Sequence, residues 1–312
     1  MTVHNWEKRT LGRTGFEVTV LGIGSAWLGH QEGRYTPDVG VQTVLAGLEA
    51  GINLVDTSDN YIAGRSEGIV GQALKHWFAQ DHRREDLILS TKLSVYDGNP
   101  DAFSYDGAIY GLEQSLNRLQ TDYLDIFLVH DPTSLDPVLA DNGALAALRK
   151  AKEEGTIRAI GLGCRSHAFH RTCIETGEFD VSLTYHDFSL VDTTAEAGVL
   201  EPAAKHDVGV FNASINAALT RPDTAGRSRE LANWCAKRDL ELSRLNLHFC
   251  LREKRFASIL IGFSRPARVV QNIQALAAPI DEAVWKELAR DFGIGRGDQY
   301  ARCLGRQVTR FS

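Results

Sequence analysis

The sequence predicts an α/β chain closed into a (β/α)8 barrel, and three observations carry that expectation. Eight short runs rich in Val, Ile and Leu recur along the 312 residues, separated by segments of helical periodicity. The runs are nearly continuous in apolar residues, as strands buried on both faces are, so they should lie parallel beneath a layer of helices. The first strand-to-helix connection, LGIGSAWLG, has G-x-G but no third glycine where an open dinucleotide-binding sheet needs it, and a polar loop, QEGRYTPD, follows. Eight βα units in about 250 residues is the count of a closed barrel.

The elements follow in order. KRTLGRTGFEV (8–18) reads as a hairpin with a Thr-Gly turn, placed to plug one barrel end. The barrel runs are VTVLGIG (18–24), INLVD (52–56), DLILSTK (86–92), YLDIFLVH (123–130), IRAIGLG (157–163), DVSLTY (180–185), VGVFNAS (208–214) and SILIG (258–262). Between the first two, Val41, Val44, Leu45 and Leu48 repeat at helical spacing, with Pro37 near the start and Gly51 past the end. Ser66 and Glu67 open the next helix, and 111–120, 143–155, 228–240 and 266–276 carry the same period. DEAVWKELARD (281–291) is an extra helix, and the Gly/Arg-rich tail 292–312 has no clear period. Residues 1–312 are thus expected to form one barrel domain.

Composition narrows the partners. The net charge of −6 comes without a block of like charges, so no nucleic-acid or acidic-lipid surface is indicated. Five Cys share no C-x-x-C spacing, which points away from a disulfide framework or zinc site and toward a reducing compartment. The first residues, MTVHNWEKRTLGRTG, hold no apolar signal segment, and no run is long enough to span a bilayer. The expectation is a cytoplasmic protein, a monomer or small homo-oligomer, acting on a small molecule without a metal.

In a parallel barrel the chemistry gathers at the C-terminal strand ends. The second run closes on Asp56, the third on Lys92 and the fourth on His130, with Tyr61 just past the second. Alone, a strand-end His is more often a satisfied structural residue, and a strand-end Lys a solvated rim charge. Together on adjacent strands they have a chemical reason. A phenol with a pKa of about 10 exchanges protons poorly at neutral pH. An ammonium beside it favours the phenolate, a buried carboxylate holds that ammonium, and an imidazole orients a carbonyl. Such a set suits proton transfer to a carbonyl oxygen while hydride reaches its carbon, or the reverse.

On these residues the sequence resembles the aldo-keto reductases. GINLVDTSDNYIAGRSEGIVG (51–71), STK (90–92), DIFLVHDP (125–132), GTIRAIGLG (155–163) and ILIGFSRPARVVQN (259–272) are similar to the family's motifs in the same order, across about residues 8–290. The resemblance implies the barrel, NAD(P)(H) as cofactor, and a tetrad of Asp56, Tyr61, Lys92 and His130, with Tyr61 the acid in reduction and the base in oxidation. It also implies cofactor contacts from Gly24 and Ser25 after the first run. Where the family holds the carboxamide with a Ser-Asn pair and a Gln, this chain has Gly163-Cys164-Arg165 and Ser182-Leu183.

The subgroup resembling L-fucose, D-threo-aldose and L-galactose dehydrogenases matches best, through 185–220, which assigns the pyrophosphate region to Ser214 and Asn216. The last motif assigns Ser264, Arg265, Arg268 and Asn272 to the adenosine end. Many NADPH-dependent members have a Lys where Gly262 stands, so NADP is only slightly favoured over NAD. On the substrate side Trp27 and Tyr96 are placed to stack, and Asp131 to bind sugar hydroxyls. Arg165, His167 and His170 read as a basic loop that would suit hydroxyl-rich or anionic substrates, with Arg165 the substrate residue among them.

The function implied is interconversion of an aldehyde or lactol with its alcohol or lactone, on an aldose or related polyhydroxy compound. Two other readings stand beside it: a cofactor-sensing regulatory subunit with little turnover, and a reductase of a nucleotide-linked ketosugar.

Overall fold

The computed structural model describes residues 6–31 and 34–295, so the expected tail lies outside the described residues from 296 onward. The chain opens with β1 (Lys8–Thr10) and β2 (Glu17–Thr19), an antiparallel hairpin in which Lys8 pairs with Thr19. The barrel begins at β3 (Leu21–Gly24). The loop after it carries a minimal hairpin of β4 (His30–Gln31) and β5 (Arg34–Tyr35). The remaining barrel strands are β6 (Leu54–Asp56), β7 (Ile88–Leu93), β8 (Leu124–His130), β9 (Ile157–Gly163), β10 (Val181–Tyr185), β11 (Gly209–Ala213) and β12 (Phe256–Gly262). Neighbours pair in parallel, and β12 returns to β3 to close the ring.

One expected strand splits. In the run 18–24, Val18 and Thr19 belong to the hairpin and only Leu21–Gly24 to the wall. Val18 is apolar because it is part of the plug, and hydrophobicity alone does not separate floor from wall. Leu11, Phe16 and Val18 pack into the barrel interior against Leu54, Ile88, Ile126 and Ala257. The plug is seated tightly: Gly12 has φ +48, and a Cβ there would stand 2.3 Å from the Gly209 nitrogen. Arg9 ties the hairpin to β12 through the Phe256 carbonyl at 2.7 Å, and Arg13 reaches Asp180 at 3.1 Å. With the N-terminal end filled by side chains, the accessible end is the C-terminal one.

The helices cover the outside. Pro37–Glu49 begins with proline in its first turn, where a missing N–H costs nothing. Ser66–Phe78, Tyr105–Leu119, Ala144–Glu153, Ala225–Ala236 and Pro266–Ala277 follow the sequence expectation, and Glu282–Phe292 is the extra helix, its start capped by Asp281 on the Ala283 N–H. Trp285 and Leu288 of that helix bury against Leu231, Trp234 and Leu245. Leu242–Arg252 is a further helix, whose mixed composition hides its period.

The basic loop after the fifth strand is corrected. Ser166 accepts the Phe169 N–H and starts a helix over His167–Glu175. His170 turns inward and is fully buried, bonded to the Cys164 carbonyl and to Ser182. Burial pushes its pKa down to about 4, so it is a neutral core residue.

Candidate active site

The ends of β6, β7 and β8 bring together the residues that closed the apolar runs. Lys92 Nζ donates to Asp56 Oδ2 at 2.6 Å and to the Thr57 carbonyl at 2.6 Å, while Ser90 donates to Asp56 Oδ1 at 2.9 Å. Burial works to discharge Lys92, but the Asp56 carboxylate and Tyr61 outweigh it and hold its pKa above the ordinary value. Burial pushes the Asp56 carboxyl up as well, against the pull of Lys92. The 2.6 Å contact and the donors converging on the carboxylate define the pair as ionised.

Tyr61 reaches this pair through a forced turn. Its N–H bonds the Ser58 carbonyl, and Ile62 (φ 54), Ala63 (φ 52) and Gly64 (φ 80) then lie in succession in the left-handed region. A β-branched residue there is a genuine outlier, of the kind that persists where the surrounding structure imposes it. The turn sets the phenol ring 4.5 Å above Lys92 Nζ and edge-on to the His130 ring, centroids 5.7 Å apart. Burial raises the Tyr61 pKa, and Lys92 opposes that by charge and hydrogen bond without reversing it. The phenol is therefore held in its protonated form, with Lys92 acting in the expected direction against burial.

His130 is buried, and burial together with Lys92 pushes its pKa down to about 3, so the imidazole is neutral. Nδ1 faces the Ser94 hydroxyl at 2.9 Å and Ser58 at 3.3 Å; Nε2 stands 3.5 Å from Asp131 Oδ2, long for a hydrogen bond. A hydroxyl donating to Nδ1 leaves Nε2–H as the group presented to the mouth. Ser90, Lys92 and Ser94 alternate, so they share one face of the strand. Their even spacing about Lys92 is the signal by which the two serines were open to prediction, although Thr91 between them blurs the alternation.

Asp131 has φ 44, its N–H bonds the Gly163 carbonyl at 2.9 Å, and its Oδ1 accepts from the Tyr185 hydroxyl at 2.8 Å. It lines a cleft of about 470 Å³ with Val95, Phe103 and Pro137. Tyr96 is turned elsewhere: its ring packs over Gly98, and its hydroxyl meets Arg118. Val95, its neighbour, faces the cleft in its place. Arg165 is exposed at the rim, near enough to Tyr185 to act on its charge.

A second groove, of about 1490 Å³, runs from Trp27 and Gly262 past Asn216 and Ser264 to Arg268 and Asn272. Gly262, which pairs with Gly24 across the last barrel seam, lines the groove without a side chain. A Cβ at 262 would stand 3.3 Å from Trp27 Cδ1, so the indole borders the space that a larger residue would enter. Arg268 is exposed in the first turn of Pro266–Ala277, and Ser214 is exposed beyond β11 with φ 55. An elongated groove with a bare inner floor and a guanidinium at a helix start fits a dinucleotide.

Three expected cofactor contacts are engaged elsewhere. Ser25 is buried and accepts from Ser66 at 2.7 Å, Ser182 is buried against His170, and Cys164 is buried with its thiol directed toward the Ser166 carbonyl. Gly163 is buried beside His130, and Arg265 precedes the helix without lining the groove. Among the described residues no three His, Cys, Asp or Glu side chains converge as a metal site, and no helix is long and apolar enough to cross a membrane.

The Aldo/keto reductase family pattern matches residues 20–290. The chain belongs to the aldo/keto reductase family. It is 32% identical to L-galactose dehydrogenase of Arabidopsis thaliana over 86% of this chain and 88% of that protein. It is 26% identical to D-threo-aldose 1-dehydrogenase of a Pseudomonas species, over 88% and 94%. Among solved structures, the holo form of aldo-keto reductase AKR11C1 from Bacillus halodurans matches with a TM-score of 0.73 and 27% identity, covering 89% of this chain and 94% of that one. As an aldo/keto reductase, the protein is an NAD(P)-dependent oxidoreductase acting on a small molecule.

Proposed function

We propose that the protein interconverts the lactol or aldehyde form of an aldose with the corresponding lactone or alcohol, using Asp56, Tyr61, Lys92 and His130 as its catalytic set. The observation that carries this reading is the Tyr61 ring held 4.5 Å above an ammonium that is itself ion-paired to Asp56. Trp27, Asn216, Ser264, Arg268 and Asn272 would hold NAD(P), which when bound would supply hydride exchange at the substrate carbon. The chain's own residues handle the oxygen. In reduction the Tyr61 hydroxyl gives its proton to the carbonyl oxygen, and the charge of Lys92 stabilises the phenolate left behind. In oxidation Tyr61, ionised with the help of Lys92, takes the hydroxyl proton. Neutral His130 donates Nε2–H to the same oxygen and so fixes which lone pair faces Tyr61.

The polar mouth supports a sugar-like substrate. Asp131 offers a carboxylate to hydroxyl groups, and the similarity to two sugar dehydrogenases favours the same class. Arg268 offers an exposed guanidinium in a helix's first turn to an adenosine 2′-phosphate, in a groove that Arg229 and Arg244 also line, and Trp27 borders the space at Gly262, so both NADP and NAD belong to the reading. The test is a panel of aldoses and simple aldehydes assayed with all four forms of the cofactor. Aldose turnover with NAD(P) supports the proposal. Tight cofactor binding with no turnover of any carbonyl or alcohol would point to a sensing role instead.

A further inference from the structure

The Asp131 carboxylate is held in an unusual way. Its backbone lies in the left-handed region at φ 44, pinned by the N–H bond to the Gly163 carbonyl. One oxygen, Oδ1, is occupied by the Tyr185 hydroxyl at 2.8 Å, which reaches from β10. The other, Oδ2, receives no hydrogen bond among the described residues, and stands 3.5 Å from His130 Nε2. A carboxylate with one oxygen clamped and the other open beside the imidazole is a pre-oriented acceptor. A side-chain-bearing residue held at positive φ carries backbone strain, and such strain gathers at ligand-binding positions.

We infer that the Asp131–Tyr185 pair reads the hydroxyl on the carbon next to the reacting carbon, making 2-hydroxy carbonyl compounds and their lactols the preferred substrate class. This rests on the catalytic reading above, which places the reacting oxygen at His130 Nε2. Oxygens on adjacent carbons in a gauche arrangement lie about as far apart as a hydrogen bond is long. One oxygen at Nε2–H and its neighbour donating to Oδ2 therefore close a ring of contacts whose fourth side is the 3.5 Å gap. A donor at the neighbouring carbon satisfies Oδ2 of the half-exposed carboxylate, whereas a methylene there displaces its water and returns no donor, so the analogue loses one charge-assisted hydrogen bond. Tyr185 acts through Asp131 as a positioning residue. Its phenol is held protonated by burial and by the carboxylate it serves, so it remains a donor.

The experiment compares reduction of 2-hydroxypropanal and propanal by the full chain with NADPH or NADH. The wild type should favour 2-hydroxypropanal in kcat/KM by about 10-fold or more. Asp131→Gly removes the carboxylate while suiting the positive φ, and should bring the ratio of the two aldehydes toward one. Asp131→Asn keeps the shape and, with Tyr185 still fixing the amide oxygen, turns the open acceptor into a donor; the ratio should fall here too. Tyr185→Phe should raise KM for 2-hydroxypropanal by about 3–10-fold with a smaller change in kcat. Equal treatment of the two aldehydes by the wild type, or equal losses on both in the Asp131 variants, overturns the inference while leaving the oxidoreductase reading intact. No turnover of either aldehyde, or of any other carbonyl or alcohol, overturns both.

Discussion

Asp56 and Lys92 form a fully buried ion pair, 2.6 Å between Oδ2 and Nζ, at the point where two neighbouring barrel strands end. Its stability consequence is asymmetric, because removing one partner strands the other charge out of water. Lys92→Met and Asp56→Asn should each destabilise by about 3–5 kcal/mol in denaturant unfolding. The double variant should lose much less than the sum. Additive losses would mean that the two side chains are not energetically coupled.

The raised pKa of Tyr61 gives the two reaction directions different pH profiles. The phenol is the reactive form in reduction and is fully present below its pKa, so kcat for reduction should be flat from mildly acid to neutral pH. The phenolate is the reactive form in oxidation and grows as pH rises, so kcat for oxidation should climb about tenfold per unit through the alkaline range. The profile should be taken with a deuterated alcohol substrate, to establish that chemistry limits the rate. An oxidation rate that is level across the alkaline range, with chemistry limiting, would remove Tyr61 as the base.

His130 and His170 are held neutral, at about 3 and about 4, against an unfolded value near 6.5. The unfolded chain therefore binds more protons in the window between, and stability rises with pH there. It is complete above about 6.5 and is lost as pH falls toward the folded values. Each buried histidine should cost about 2 kcal/mol between pH 7 and pH 5 by that linkage. The urea midpoint measured at both pH values should drop, and His170→Gln should shrink the drop. An unchanged pH dependence in that variant would show that His170 titrates normally.

Arg268 is the exposed cation in the first turn of the helix that borders the large groove. Arg268→Ala should raise KM for NADP about 10-fold or more and that for NAD far less, since only the former carries a 2′-phosphate for a charge-assisted contact. Equal effects on both would make Arg268 a solvated surface residue.

The barrel and the four central residues were legible, because Asp56, Lys92 and His130 each close an apolar run with a conspicuous polar side chain and Tyr61 follows Asp56 at the spacing of the family motif. The helix at 167–175 was hidden because its inward residues include His170, whose neutrality arises only once it is buried. Tyr96 was misplaced because nothing in a loop sequence says which way a ring will turn. The Asp131–Tyr185 bond joins residues 54 apart, one just past the end of β8 and the other on β10, which is not its neighbour, a relation set by barrel closure and strand register. The direction of the Tyr61 shift also depended on burial, which spacing does not supply.

The most direct test of the central claim is the turnover of Tyr61→Phe, folded as judged by its unfolding midpoint and still able to bind cofactor. If the phenol carries the proton, kcat should fall by at least about 100-fold in both directions, with KM for the cofactor nearly unchanged. A variant that keeps most of its turnover would contradict the account, because no other part of the proposed mechanism supplies the proton.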